Sequence, residues 1–416
     1  MFVKFSVQNF LSFKDLNSLE LIASNITQHE ENTIDTKQYK LLKSAAIFGA
    51  NASGKSNLFK AMQFARDFVL FSSKESQANE KIHVTPFLLS TKTESEPSLF
   101  EFVFLKNNTK YRYGFRLNNS IVVDEWLFAA SKVKESLLFE RHEQDIKVGA
   151  KFKEGSKIIE LTRKNALFLS VVAQFNGKIA ESIIEWFYGL RIITGLQTYN
   201  SVTIEYLKAL ENKKEFMAIL NIADSSIQDF QFKELDIEKA PKYIKEELER
   251  IKALGAKYEL MPEIKTYHNK YNDKNNVAGT VEFDFNKNES KGTQHLFSLT
   301  GPILDTIENS NILVIDEFEC NLHPLISRFL IKLFHLKNKN AQFIFNTHDT
   351  KLLNNKYFRR DQIYFVDKDQ FGGSSLYSLY DYNIRYDRTF DKDYLEGKYK
   401  AIPFIDEYGI FGNEID

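Results

Sequence analysis

The stretch Ala46-Ile47-Phe48-Gly49-Ala50-Asn51-Ala52-Ser53-Gly54-Lys55-Ser56-Asn57-Leu58-Phe59-Lys60 organises the rest of the chain. Residues Gly49 to Ser56 fill the spacing G-x-x-x-x-G-K-[ST] at every position. Gly49 and Gly54 allow a tight loop, and the N–H groups of Asn51, Ala52 and Ser53 can point inward at a phosphate. A helix starting at Lys55 adds its positive end, with Asn57 in its first turn. Lys55 is expected to reach the β- and γ-phosphates, and the Ser56 hydroxyl to bind Mg²⁺. The flanks agree with this reading. Leu41-Leu42 and Ala45-Ala46-Ile47-Phe48 predict a buried strand before the loop, and Leu58, Met62, Ala65 and Phe68 recur at helical spacing after it. The stretch reads as a nucleotide site, with ATP and Mg²⁺ as the expected ligands.

Composition bounds the rest. The 416 residues can hold one large or two ordinary domains, and 43% apolar residues suffice for a sizeable core. Lys+Arg (55) and Asp+Glu (56) cancel, so no global field draws the chain to nucleic acid or to an anionic membrane. A local basic patch stays open. The single Cys320 excludes an internal disulfide and fits a reducing compartment. No stretch reaches the apolar length of a membrane span, and the first residues lack a signal-peptide pattern. A soluble cytoplasmic protein without membrane partners is the expectation.

Residues 1–24 alternate and predict two short strands joined by a turn; residues 25–40 are polar and read as a loop. From Ile82 to Ile159 the period becomes two. Runs at 100–105, 111–117 and 121–127, separated by Asn107-Asn108 and Asn118-Asn119, predict an antiparallel meander whose aromatic residues are core. From Asn165 to about Leu260 the pattern turns helical, with Ile179, Ile183, Ile184 and Phe187 on one face. Pro241 precedes a charged helix at 242–254, and no heptad pattern persists long enough for a coiled coil. Asn269 to Gly279 is polar and returns the chain to the nucleotide-binding core.

The second half of the chemistry follows. Ile312-Leu313-Val314-Ile315 predicts a strand buried on both faces, ending in Asp316-Glu317. Asp316 is expected to hold Mg²⁺ through water, and Glu317 to polarise the attacking water. Gln342-Phe343-Ile344-Phe345-Asn346-Thr347-His348 is another buried strand, whose His348 can hydrogen-bond the γ-phosphate. Upstream, Ser290-Lys291-Gly292-Thr293 opens a helix whose capped N-terminus can touch an anion, and Pro302 lies inside that helix.

The order phosphate loop, Ser-x-Gly, Asp-Glu and His resembles the ABC-type ATPases of the SMC/RecF kind. In that family the signature Ser and Gly meet the γ-phosphate bound by the opposite subunit. The resemblance implies a head-to-tail, ATP-sandwiched homodimer, or a higher homo-oligomer built from it. Lys55, Ser56, Asp316, Glu317 and His348 would form one subunit's half, and Ser290 and Gly292, with Lys291 and Thr293, the other's. Asn9-Phe10 is similar to that family's first hairpin, and Glu319 to Pro324 resembles its loop along the dimer interface. The signature reads Ser-Lys-Gly-Thr instead of Ser-Gly-Gly-Gln, and the Mg²⁺-sensing glutamine is matched only by Gln174. The whole chain looks like the compact ATPases of bacterial anti-phage and abortive-infection systems, the RloA and AbiL kind, related to the overcoming-lysogenization-defect and PARIS ATPases. The Phe-Asn-Thr-His-Asp strand, the segment 361–369 and Tyr394-Leu395-Glu396-Gly397-Lys398-Tyr399-Lys400-Ala401-Ile402-Pro403 carry that likeness. It implies a separately encoded effector, a nuclease in the first instance.

The expectation is therefore an α/β P-loop NTPase of ABC-ATPase type. Residues 1–75 and 276–416 would form the ATPase core, 76–164 an inserted β-meander lobe and 165–275 a helical insertion. Two other functions compete with the switch. Asp367 and Asp369 could belong to a two-metal nuclease site, and an interface groove could hold DNA in a repair or chromosome-associated ATPase.

Overall fold

The computed structural model describes all residues except 75–76, 78, 132–133, 195–196, 210, 235–261, 383–389 and 404–416. The charged helix expected at 242–254 lies outside the described residues. The chain opens with β1 (Phe2–Gln8) and β2 (Asn17–Glu20). The stretch read as a loop contains a small hairpin, β3 (Thr33–Asp35) and β4 (Lys40–Leu42). Ile34, Leu41 and Leu42 are its buried residues, and within 25–40 Ile34 alone does not stand out from a polar background. Strand β5 (Ser44–Phe48), buried throughout, then feeds the phosphate loop and α1 (Lys55–Phe71).

The meander forms as its alternation predicts: β6 (Ser98–Lys106), β7 (Thr109–Leu117), β8 (Val122–Ala130), β9 (Ser136–His142) and β10 (Asp145–Val148). It is continuous with the opening hairpin. β1 pairs antiparallel with β6, placing Phe5 opposite Phe102, and the sheet runs β10-β9-β8-β7-β6-β1-β2. Phe100, Phe102, Phe104, Tyr113, Phe115 and Phe139 are core, whereas Trp126 and Phe128 are only partly buried and lie outside it. Phe104 stacks on Trp186 at 4.1 Å, and Phe102 meets Phe187 edge-on at 5.2 Å. Those partners come from α3 (Lys178–Tyr188), which follows α2 (Phe168–Gln174).

After α3 the chain departs from the helical expectation. Leu190–Ile193 is a strand, β11. The second compact unit, Gly195–Asp305 with Cys320–Ile326, contains α4 (Gln197–Tyr206) and α5 (Asn212–Ala223). It also holds an antiparallel sheet of β12 (Ile227–Lys233), β13 (Glu263–Tyr271) and β14 (Val277–Asp284). The polar stretch 269–279 is thus the turn region of a hairpin. A short α6 (Phe285–Asn288) precedes α7 (Lys291–Asn309), which continues past Pro302.

The first unit comprises Met1–Thr194, Thr306–Glu319 and Ser327–Asp416. It regains the chain at β15 (Ile312–Ile315), followed by α8 (Pro324–Lys337), β16 (Gln342–Asn346), β17 (Ile363–Lys368), β18 (Ser374–Ser378) and α9 (Phe390–Leu395). The second sheet of this unit has the order β11-β15-β16-β5-β17-β18, parallel except for β18. Its central strands are buried along their whole length because both faces are covered, and their middles are apolar. One core holds Phe5 and Phe100 of the antiparallel sheet, Leu58, Met62 and Ala65 of α1, and Ile47, Val314 and Ile344 of the parallel sheet. The two units do not divide at the expected boundaries 76, 165 and 276. The reason is pairing: β6 needs β1 as its edge partner, and α2 and α3 bury their apolar faces under the same sheet.

A buried ion pair ties the meander to α2. The Glu125 carboxylate accepts the N–H groups of Phe168 (2.7 Å) and Leu169 (3.0 Å) and the Tyr113 hydroxyl (2.9 Å). Arg141 stands 3.5 Å away, and both side chains are fully buried. Burial pushes the Glu125 carboxyl up, against the pull of Arg141 and the helix N–H groups.

Candidate functional site

The parallel strands β5, β15 and β16 have their carboxyl ends on one side of the sheet, where open α/β sheets place ligands. Strand β16, which leads to His348, lies between the phosphate-loop strand β5 and strand β15, which leads to Asp316. The loop after β5, the first turn of α1, Glu317, Asn346, His348 and Lys368 line one cavity of about 490 Å³. The structure therefore brings together Asn51, Ala52, Ser53, Gly54, Lys55, Ser56, Asn57, Glu317 and His348 around one cavity.

The loop's conformation needs its glycines. Gly49 has φ +156°, and a Cβ there would stand 2.3 Å from the Val366 carbonyl oxygen. Gly54 has φ +111°, and its Cβ would fall 2.3 Å from Ser374 Oγ and 2.7 Å from Ser12 Oγ. Ala52 also takes a left-handed φ of 60°. Lys55 is 5% exposed and folds back, donating to the carbonyls of Gly49 (2.7 Å) and Ala50 (2.9 Å). Burial lowers its ammonium to a pKa of about 8, a shift that Glu319, Asp316 and Glu317 oppose. Ser53 Oγ is buried with no hydrogen-bond partner among the described residues. A buried ammonium on backbone acceptors and an orphaned hydroxyl fit a site shaped for an anion.

The Ser56 hydroxyl donates to Asp316 Oδ1 at 3.1 Å. That hydroxyl and carboxylate are hard oxygen donors of the kind Mg²⁺ takes, with phosphate and water filling its other positions. Among the described residues no group of three His, Cys, Asp or Glu side chains could hold a metal by itself. Asn346, 1% exposed, donates from Nδ2 to the same Asp316 oxygen, and its Oδ1 accepts the N–H of Glu317. Glu317 itself is exposed to the cavity and sits at φ 55°. Glu319 accepts the His348 N–H. Partial burial first, and the Lys55 ammonium second, push the His348 imidazole down.

Several of these residues were not singled out by sequence. Asn346 looks like a strand end, although it directly precedes the Thr-His pair. Ser12 bonds Asn57 (2.8 Å) and Ser374 (2.7 Å), and Ser374 donates to the Ser53 carbonyl (2.6 Å), so the first hairpin and β18 support the loop. Lys368 is a cavity residue with no local signal beyond its place at a strand end.

Gln174 is not brought to this cavity. It is the exposed last residue of α2. Ser290 and Gly292 belong to the second unit. There Ser290 caps α7, its Oγ accepting the Thr293 N–H (3.1 Å) and lying 2.8 Å from the Thr293 hydroxyl. A Cβ on Gly292 would come within 2.9 Å of the Asn321 carbonyl oxygen, so glycine permits this close approach. Lys291 is exposed and reaches Gln294 Oε1 (3.2 Å). The half-buried Cys320 precedes Asn321 and accepts from its side chain at 3.3 Å. Asp369 accepts the N–H groups of Phe371 and Gly373, both at 2.8 Å, which makes it the pivot of the β17–β18 turn.

Comparison with known proteins decides the kinship. The family described as "AAA domain, putative AbiEii toxin, Type IV TA system" matches residues 44–354, from the strand before the phosphate loop to beyond His348. The chain belongs to this family. No curated protein matches this AAA-domain chain by sequence. Among solved structures, an Smc head bound to the C-winged helix domain of ScpA is similar over 91% of this chain and 97% of that one, at 12% identity and a TM-score of 0.47. The SMC head domain from Thermotoga maritima is similar over 91% and 98%, at 14% identity and a TM-score of 0.43. An Smc head domain with an extended coiled coil, bound to the C-terminal domain of ScpA and derived from Pyrococcus furiosus, gives 96% and 99%, 13% identity and a TM-score of 0.36. The AAA-domain chain has the α/β P-loop NTPase fold, on the family match and its own strand order. Among the described residues, no helix is long and apolar enough to cross a membrane.

Proposed function

We propose that this chain is the ATP-binding and hydrolysing switch subunit of a bacterial anti-phage system of the abortive-infection type. Two copies would close over ATP and control a separately encoded effector, a nuclease by the likeness to the RloA and AbiL kind. One observation carries the ATPase part: Lys55, Ser56, Glu317, Asn346 and His348 converge on a single phosphate-loop cavity. The defence part is supported by the description of the family, which names an AbiEii toxin and a toxin–antitoxin system.

Each group has a task in this reading. Lys55 exchanges its two carbonyl acceptors for phosphate oxygens, keeping the ammonium charged. Ser56 and Asp316 would hold Mg²⁺, which when bound would neutralise phosphate charge and polarise the P–O bonds. Glu317 takes the proton of the attacking water, with its backbone N–H fixed by Asn346. His348 donates to the terminal phosphate, and a second copy's signature residues, those numbered 290 and 292, complete the pocket. An intrinsic nuclease would need a carboxylate cluster, whereas Asp369 commits its Oδ1 to a turn.

The test is Glu317→Gln. The variant should bind ATP as the native chain does, hydrolyse it roughly 10²-fold or more slowly, and accumulate as an ATP-dependent dimer in sedimentation. Hydrolysis at the native rate would remove Glu317 from the mechanism.

A further inference from the structure

Backbone pairing between β15 and β16 stops at Ile315 opposite Phe345, yet the two segments stay joined beyond it. The Glu317 N–H donates to Asn346 Oδ1, the Phe318 N–H to the Asn346 carbonyl at 3.3 Å, and the His348 N–H to Glu319 Oε1. Two side chains therefore carry the ladder on where the strands end. Asn346, after β16, holds the backbone of Glu317, and Glu319, after β15, holds the backbone of His348. The exchange is reciprocal. It joins the segment bearing the water-activating carboxylate to the segment bearing the imidazole.

Stability alone does not account for Glu319. It is half-buried, and its Oε2 is buried with no hydrogen-bond partner among the described residues. A carboxylate oxygen taken from water without a donor costs free energy, and folds keep such groups chiefly where a site needs them. What it holds is otherwise loosely held. The His348 side chain is exposed and lies beyond the last residue of β16, and His348 makes no other hydrogen bond among the described residues. Glu317, for its part, sits at φ 55°, which a non-glycine residue keeps only when its surroundings fix it.

We propose that Glu319 is a positioning residue for hydrolysis: by holding the His348 N–H it keeps the imidazole in register with Glu317. The terminal phosphate is then engaged and the water activated in one geometry. This inference rests on the ATPase reading, with His348 as donor to the terminal phosphate. Glu319 itself touches neither nucleotide nor water and acts through His348. Positioned groups lose their effect steeply with displacement, and an error of about 1 Å can lower turnover about 10²-fold.

The experiment measures ATP hydrolysis at pH 7 by the full chain. Glu319→Ala, which removes the acceptor, should lower kcat about 10²-fold and leave KM for ATP within about threefold. Glu319→Gln keeps an amide oxygen at the same reach and should hold kcat within about fivefold of native. Glu319→Asp keeps the charge but withdraws the acceptor by one methylene, and should lose as much as Glu319→Ala. In a His348→Ala background, Glu319→Ala should cost less than about twofold more, because both act through one group. A readout without turnover accompanies these. Hydrogen exchange at the His348 amide, followed by NMR on histidine-labelled protein, should quicken about tenfold or more in Glu319→Ala and stay near native in Glu319→Gln. Thermal unfolding shows which variants fold; should Glu319→Ala not, Glu319→Asp against Glu319→Gln makes the same comparison. Native kcat in a folded Glu319→Ala or Glu319→Asp overturns the proposal. So does an equal loss in Glu319→Gln, or a full additional loss in the His348→Ala background. A native chain that hydrolyses no ATP would overturn the ATPase reading, and this proposal with it.

Discussion

Asn346 ties the Asp316 carboxylate to the Glu317 backbone through its one amide, with Nδ2 donating to Asp316 and Oδ1 accepting the Glu317 N–H. Asn346→Ala should therefore keep ATP affinity within a few-fold while lowering turnover by about 10² or more, the usual effect of losing one positioned polar group. Equal losses in affinity and turnover would assign Asn346 to binding. Lys55 adds a pH dependence. Its pKa in the nucleotide-free protein is about 8, below the ordinary 10.5, and a bound phosphate would favour the ammonium. ATP affinity should then fall as pH rises through 8, with proton uptake on binding at pH 8.5, seen as a buffer-dependent enthalpy in calorimetry. The stability term has its own sign. Below pH 8 both folded and unfolded chains hold the proton and the burial cost stands in full. Between about 8 and 10.5 the folded chain holds fewer protons, so this group's contribution improves as pH rises. At this scale the sequence disclosed residues whose chemistry depends on local spacing, such as Lys55 and Ser56. It concealed Ser12 and Ser374, which meet beside Gly54 only through the fold.

The meander was legible because each of its strands alternates over several residues and ends at a turn former. β11 was not: its few residues follow an amphipathic helix and continue that helix's apolar pattern, and only pairing with β15 makes them a strand. β14 was hidden for the opposite reason, since most of its residues are exposed and carry no alternation. The buried Glu125 could not be recognised by pattern either, because it sits in the β8 run as one more polar position. Replacing it is predicted to be severe. Glu125→Ala strands the Arg141 charge and uncaps α2, at a cost of about 3–5 kcal/mol by urea denaturation. A loss under about 1 kcal/mol would mean that Arg141 is satisfied by its backbone acceptors, the carbonyls of Glu143, Ala166, Arg163 and Lys164. The Ser290 cap is a milder case. Ser290→Ala should cost roughly 1 kcal/mol of stability through the lost Thr293 bond.

For the whole molecule, the decisive question is whether one copy's pocket needs another's α7. Lys55→Ala and Ser290→Arg should each be inactive alone, the first without ATP binding and the second with it. Mixed, they can form a heterodimer in which the Ser290→Arg copy supplies an intact phosphate loop and the Lys55→Ala copy an intact signature. ATPase activity should reappear in the mixture and depend on the ratio of the two. A mixture as silent as its components would rule out sites shared between copies. The expectation of such sharing comes from the sequence only by resemblance, since no property of a single chain encodes what a second copy presents. The half-buried Cys320, the only sulfhydryl in the sequence, gives this question a spectroscopic handle. A nitroxide attached there needs no background thiols removed. In the Glu317→Gln protein, a defined inter-spin distance should emerge with ATP and be absent without it.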